Sequence, residues 1–402
     1  MFPGHEGTGS LNDERPLDKA AREGVNKKQG DFLPRYNPAM SFHDDCLVLD
    51  GHTDVPTRLW ETPVDLGVPQ KDRHVDLPRL RQGGVDGVVF ALYIPPSLSP
   101  ELGWQHALAL HGATERALAP LAGKMEIVTT AEDLRRAVWR GVVGVLIGLE
   151  NGRPLALPGT LDACVKLGVR YVTLTHNGTH EWCDSATDAP AHGGLSGEGE
   201  RIVRELNKRA IVPDVSHVSD DAVLHVLEVS KAPVIASHSS SRAICDHPRN
   251  LPDALVREIA RRDGVVMANS YAAFVDPAAM QADRERGPLV RPMLQETEGA
   301  YMADPGKHWE ERARLLADHP LPEVPLDRLV DHLLHMIDLG GEEHVGIGTD
   351  FDGIPDTLKG FEDPSHFPDL TAALLARGVD KAGVRLILGE NFLRVLKQAE
   401  AV

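Results

Sequence analysis

The stretches AIVPDVSHVS (210–219) and APVIASHSSS (232–241) are two apolar runs of strand length that end alike, in Ser-His. Between them the apolar residues of 219–230 return at three- and four-residue intervals, the mark of a helix. Strand, helix and second strand make a βα unit feeding a parallel sheet. In such a sheet the matched ends place His217 and His238 side by side at one edge.

The same alternation extends in both directions. Upstream lie the runs CLVLDGHTD near 46–54, GVVFALYIP near 87–95, VVGVLIGLENG near 142–152 and VRYVTLTHNG near 169–178. Downstream lie GVVMANSYAAF near 264–274 and HVGIGTDFDG near 344–353, for eight strands in all. Helical patterns occupy 104–122, 131–139, 196–209, 252–262 and 326–339, with Ser219, and Asp253 after Pro252, expected in caps or first turns. Eight strands with helical crossovers predict a (β/α)8 TIM barrel, with a doubly wound open sheet as the competing arrangement. Residues 1–43 are polar and aperiodic and read as an N-terminal arm, leaving 44–402 as a single catalytic barrel domain. Residues 275–325, before the eighth strand, are too long for a connector and read as an inserted lid or subdomain beside the barrel mouth.

A length of 402 residues admits one elaborated barrel. The 42 basic and 60 acidic residues leave a formal charge of -18, and no basic run could follow a phosphate backbone, so nucleic acid is excluded as a partner. The chain carries no signal-peptide pattern, no apolar run of about 18 residues and no hydrophobic tail; no membrane association and a cytoplasmic protein are expected. Cys46, Cys164, Cys183 and Cys245 form no C-x-x-C pair and read as reduced thiols. Any metal therefore belongs to His, Asp and Glu.

Such residues stand where the apolar runs end, and the carboxyl ends of all barrel strands meet at one mouth. His52 and Asp54 in DGHTD lie two apart, a spacing that turns both side chains to one side of a strand. Glu150 follows an apolar strand directly, and a carboxylate there needs a cation or strong donors. Taken singly, these are a solvated turn and a salt-bridged strand end. With His217 and His238 they form a set able to hold two zinc-like cations around one shared carboxylate and to acidify a bridging water. His176, ending the fourth run, could donate to a developing oxyanion; Asp350, ending the eighth, could carry a proton from water to a leaving amine. Their ordinary readings are a hydrogen-bonded histidine and a helix-capping aspartate. Arg249, in HPRNLPD above the sixth strand, suits a substrate carboxylate, where a surface arginine is the plain alternative.

These residues resemble the membrane dipeptidase (renal dipeptidase) family of binuclear zinc barrels over about 46–397. The resemblance is carried by DGHTD (50–54), LENG (149–152), TLTHN (173–177), DVSHVS (214–219), PVIASHSSSRAICDHPRNLPD (233–253), GVVMANSY (264–271), HVGIGTDFDG (344–353) and GENFLRV (389–395). It implies two Zn2+ ions per chain: one on His52 and Asp54, the other on His217 and His238, with Glu150 bridging. It also implies His176 near the scissile carbonyl, Arg249 on the substrate carboxylate, Asp350 as proton shuttle and Tyr271 on the substrate side. The expected activity is hydrolysis of dipeptides, L-Xaa-L-Xaa and, as the family tolerates, L-Xaa-D-Xaa, by a metal-bridging hydroxide. A homodimer is the oligomeric form the resemblance leads one to expect.

Two other readings compete. The same metals could serve a lactam or lactone hydrolase, although such relatives commonly begin with His-x-His and bridge with a modified lysine. A catalytically silent binding homologue would have lost some of the set, whereas all of it is present here.

Overall fold

Strands buried on both faces must be apolar along their whole length, and this is how the barrel is written into the chain. The computed structural model describes residues 41–301 and 314–402. Most of the expected arm, 1–40, and 302–313 of the expected insertion lie outside the described residues. Among the described residues nine strands form: β1 Leu49–Thr53, β2 Gly87–Tyr93, β3 Met125–Ile127, β4 Val143–Glu150, β5 Val169–Thr173, β6 Val212–Asp214, β7 Ile235–Ala236, β8 Val265–Ala268 and β9 Val345–Ile347. Eight of them coincide with the eight apolar runs. They pair in parallel in the order β1-β2-β4-β5-β6-β7-β8-β9.

The ends of this sheet meet. Asp350 donates its N–H to the His52 carbonyl at 3.0 Å and Asp54 donates to that of Phe351 at 2.9 Å, so β1 is joined to the chain leaving β9. With helices on its outer face the sheet is a (β/α)8 barrel, and the open-sheet alternative falls away. The additional strand, β3, pairs outside the ring with Val143–Val145 of β4. Its three residues, MEI, carry too little pattern to be recognised from sequence.

The helices Pro100–Leu118, Ala131–Trp139, Gly197–Asn207, Asp220–Val229, Asp253–Arg261 and Leu326–Gly340 follow the expected periodic stretches. Ser219 caps its helix by accepting from Ala222 N, whereas Asp253 is the first helical residue after the cap position held by Pro252. At the bottom of the barrel, Phe392, Leu393 and Leu396 of helix Asn391–Ala399 join Leu49, Val89, Leu146 and Ile235 in one apolar cluster. The mouth is thereby the open end. Short helix Ala272–Val275 leads up to the expected insertion, within which helix Pro277–Tyr301 forms.

Candidate metal centre

Side-chain parity decides what faces the barrel axis. Leu146 points inward, so Gly148 and Glu150 of the same strand do too. A Cβ on Gly148 would strike the Tyr171 ring; the missing side chain gives that tyrosine room to cross the interior. At the strand ends, His217 and Asp350 adopt φ of 68° and 66°. Left-handed backbone at a non-glycine residue costs roughly 1–3 kcal/mol and clusters where geometry matters more than relaxation.

The outcome is convergence on one buried carboxylate. Glu150 Oε1 lies 3.2 Å from His217 Nε2, 3.5 Å from His238 Nε2 and 4.0 Å from His176 Nε2. Its Oε2 lies 3.7 Å from His52 Nε2, which is 3.8 Å from Asp54 Oδ2. Three sets of candidate ligand atoms each fall within 4.8 Å of one another: His52–Glu150–His238, Glu150–His176–His217 and His52–Asp54–Asp350. All five residues expected to bind metal are thus assembled, with His176 and Asp350 in the same cluster.

The imidazoles are turned the way cation ligands must be. His52 Nδ1 lies 2.7 Å from the Tyr171 hydroxyl, His238 Nδ1 2.7 Å from Ser237 Oγ, and His217 Nδ1 3.2 Å from Asn177 Oδ1. With Nδ1 occupied in this way, Nε2 is the ring nitrogen that each turns toward Glu150. His52 Nε2 is buried with no hydrogen-bond partner, and the Nε2 atoms of His217 and His238 approach to 2.9 Å. Two imidazole nitrogens that close need either a shared proton or a cation between them. Three carboxylates, Asp54, Glu150 and Asp350, share the cluster, and burial opposes the charged form of each. The donor set therefore fits divalent cations: imidazole nitrogens and carboxylates of the type that binds zinc, around a carboxylate whose two oxygens face different histidines.

Burial drives His217 and His238 well below the ordinary histidine range and brings His176 down to about 4. Burial also lowers His52, but Glu150, Asp54 and Asp350 outweigh it and carry its pKa up to about 10. The same attraction holds Glu150 well below the carboxylate range against its burial, chiefly through His52, while Asp54 is raised well above it by burial and by Glu150.

Arg249 is buried and donates to the His238 carbonyl at 3.2 Å and to Ser239 Oγ at 3.4 Å; its Nε has no partner. Asp350 Oδ2 accepts from Asn269 Nδ2 at 2.9 Å. Tyr271, expected on the substrate side, has its hydroxyl engaged. It donates to Asp283 Oδ1 at 2.9 Å and accepts from Arg286 Nη2 at 2.8 Å, so this phenol ties the insertion to the loop after β8.

Residues that single-position reading misses lie one layer beneath. Asp50 accepts from Thr349 N and Oγ1 at 2.9 and 2.6 Å, fastening β1 to the start of the β9 loop. Tyr171, Asn177, Asp214, Ser237 and Asn269 orient the histidines and Asp350. Inward parity flags Tyr171 within β5, and Asp214 stands three residues before His217; the others carry no signal that sequence alone distinguishes. Gly353 matters for space, because a Cβ there would collide with the Asp54 carboxylate.

Comparison with known proteins agrees with this geometry. The chain is 32% identical over 384 residues to dipeptidase verJ of Clonostachys rogersoniana, covering 90% of this chain and 87% of that protein. The fold is shared with the probable dipeptidase PvdM of Pseudomonas aeruginosa, at a TM-score of 0.77 and 24% identity over 90% of this chain and 97% of that one. It is also shared with a metallopeptidase of Rhodobacter sphaeroides solved with a phosphinate mimic of L-Ala-D-Ala, at a TM-score of 0.73 and 24% identity over 88% and 99%. Among the described residues, no helix is long and apolar enough to cross a membrane, whatever the family's name suggests. Residues 37–402 match the family described as membrane dipeptidase (peptidase family M19), and the barrel with its candidate ligands at the mouth accords with a metallopeptidase: the chain belongs to this family of dipeptidases.

Proposed function

We propose that the protein hydrolyses dipeptides with a free carboxyl terminus, L-Xaa-L-Xaa and L-Xaa-D-Xaa, using two zinc ions held by His52, Asp54, Glu150, His217 and His238. Bound there, the cations would acidify water and polarise the scissile carbonyl. Glu150, one oxygen toward His52 and the other toward His217 and His238, is the shared ligand. Arg249 anchors the substrate carboxylate through a guanidinium that still has a free donor. His176, kept neutral by burial, retains one N–H to donate to the carbonyl oxygen as it gains charge. Asp350, its rotamer fixed by Asn269, takes a proton from water and delivers it to the departing amine nitrogen. Four buried free cysteines accord with a cytoplasmic site of action.

The observation that carries this reading is the convergence of imidazole Nε2 atoms on one carboxylate while the Nδ1 atoms are engaged elsewhere. The test is hydrolysis by metal-depleted protein reconstituted with zinc, cobalt or manganese. Substrates are L,L- and L,D-dipeptides, their C-terminal amides, a β-lactam and a lactone. Zinc-dependent cleavage of the free dipeptides alone is expected. Turnover confined to the lactone or the lactam would overturn the substrate assignment.

A further inference from the structure

Beneath the imidazoles, at the end of β6, Asp214 is fully buried and accepts four hydrogen bonds. Its Oδ1 takes the backbone N–H of Ser216 at 3.1 Å and of Ser237 at 2.8 Å. Its Oδ2 takes the hydroxyls of Thr173 at 2.5 Å and of Ser237 at 2.6 Å. Among the described residues no Lys, Arg or His nitrogen is paired with this carboxylate within 4.0 Å, so its hydrogen bonds all go to hydroxyls and backbone N–H groups.

The consequence falls on Ser237. A serine hydroxyl has a single hydrogen, and here Asp214 takes it. Toward its other neighbours, Ser237 Oγ can then only accept. Those neighbours include two imidazole nitrogens: His238 Nδ1 at 2.7 Å and His52 Nδ1 at 3.5 Å. The hydroxyl of Tyr171, within 3.2 Å of the Gly51 carbonyl, can send its hydrogen there and accept from His52 Nδ1 as well. A further link fixes the backbone, since Ser216 Oγ accepts from His238 N at 3.0 Å.

We infer that Asp214 is a positioning residue that, through the Ser237 hydroxyl, sets the Nδ1–H tautomer of His238 and assists that of His52, so that both imidazoles present Nε2 to a cation. This rests on the proposed role of the two histidines as ligands. Asp214 itself touches neither metal nor substrate. Its charge determines the direction of every hydrogen bond in the relay, from Ser237 to the carboxylate and from His238 to Ser237.

The Asp214→Asn substitution reverses that direction without changing shape. Two backbone N–H groups face Oδ1, so the amide oxygen must sit there and the NH2 must take the Oδ2 position. The NH2 then donates to Ser237 Oγ, whose own hydrogen turns toward His238 Nδ1. His238 is left with its proton on Nε2, facing Glu150, where it blocks ligation.

Two readouts test this. In metal-free protein at neutral pH, two-bond 1H–15N correlation spectra report the tautomer of each histidine. Wild type should show His238 as Nδ1–H and Asp214→Asn should show Nε2–H. Zinc affinity, measured by competition with a chromophoric chelator, should fall about 10- to 100-fold in Asp214→Asn. Ser237→Ala, which leaves three of the four Asp214 bonds in place, should weaken zinc in the same direction; it serves in place of Asp214→Asn if that protein does not fold. An unchanged His238 tautomer in the variants, or zinc affinity within twofold of wild type, would overturn the inference. Failure of wild type to bind zinc at all would instead refute the proposed ligand role, and the tautomer spectra would still judge Asp214 by themselves.

Discussion

Replacing Arg249 by Met separates function from stability, and the structure fixes the sign of each effect. The guanidinium is buried, and among the described residues no carboxylate lies within 4.0 Å of it. Its two hydrogen bonds, of 3.2 and 3.4 Å, are long for a charged donor. Burial lowers its pKa to about 10, with Asp350 and Glu150 acting in the opposite direction. A buried cation so thinly compensated opposes folding, because taking an ion out of water costs several kcal/mol that its long hydrogen bonds do not fully return. Arg249→Met should therefore melt at or above the wild-type temperature. Substrate binding should show the opposite effect. Removing one member of a buried, hydrogen-bonded charge pair costs about 2–5 kcal/mol, which is about 30- to several-thousand-fold in kcat/KM for a dipeptide with a free carboxylate. The assay is steady-state hydrolysis of a dipeptide and its C-terminal amide by zinc-loaded wild type and variant, with calorimetric melting of both. The amide should be a poor substrate for wild type and lose little more in the variant. Equal losses for acid and amide, or a variant that melts several degrees lower, would refute this reasoning.

Other perturbations probe other parts of the site. Asp350→Asn should retain wild-type metal content while kcat drops about 10²- to 10⁴-fold, measured by metal analysis beside steady-state kinetics. Tyr271→Phe removes a phenol bound between Asp283 and Arg286, which remain paired with each other at 2.8 Å; it should lower stability by about 1–2 kcal/mol and leave KM unchanged. A severalfold rise in KM at constant melting temperature would instead place that hydroxyl on the substrate. His332 is buried, accepts from Ser241 N and lies 3.0 Å from the Val275 carbonyl, and burial brings its pKa down to about 4. Because the folded value lies below the unfolded one, its contribution is complete above about pH 6.5 and is lost as pH falls toward 4, by about 3 kcal/mol in all. Urea unfolding of metal-free protein across that range should show a shallower acid loss in His332→Gln, which can keep both hydrogen bonds while staying neutral.

The barrel was legible because its strands are buried on both faces and hence apolar throughout, and because helices of clear period separate them. β3 escaped notice for the opposite reason: three residues outside the ring hold no periodicity. Among the site residues, His52, Asp54, Glu150, His217 and His238 could be picked out because each interrupts or ends an apolar run, where an ionisable side chain is costly unless it is used. What tunes them was less visible. Ser237 and Asn177 are ordinary loop residues until the fold sets them against imidazole nitrogens. The commitment of Tyr271 to Arg286 depends on how the insertion packs against the loop after β8, and no local pattern encodes that contact.

Glu150→Gln tests most directly the claim that one carboxylate serves two cation positions. An amide has one oxygen to offer where the carboxylate has two, and it brings no charge. Equilibrium dialysis of zinc against wild type should give two ions per chain, and against Glu150→Gln less than one. Two tightly held ions in the variant, or a single ion in wild type, would contradict a shared ligand at the centre of this site.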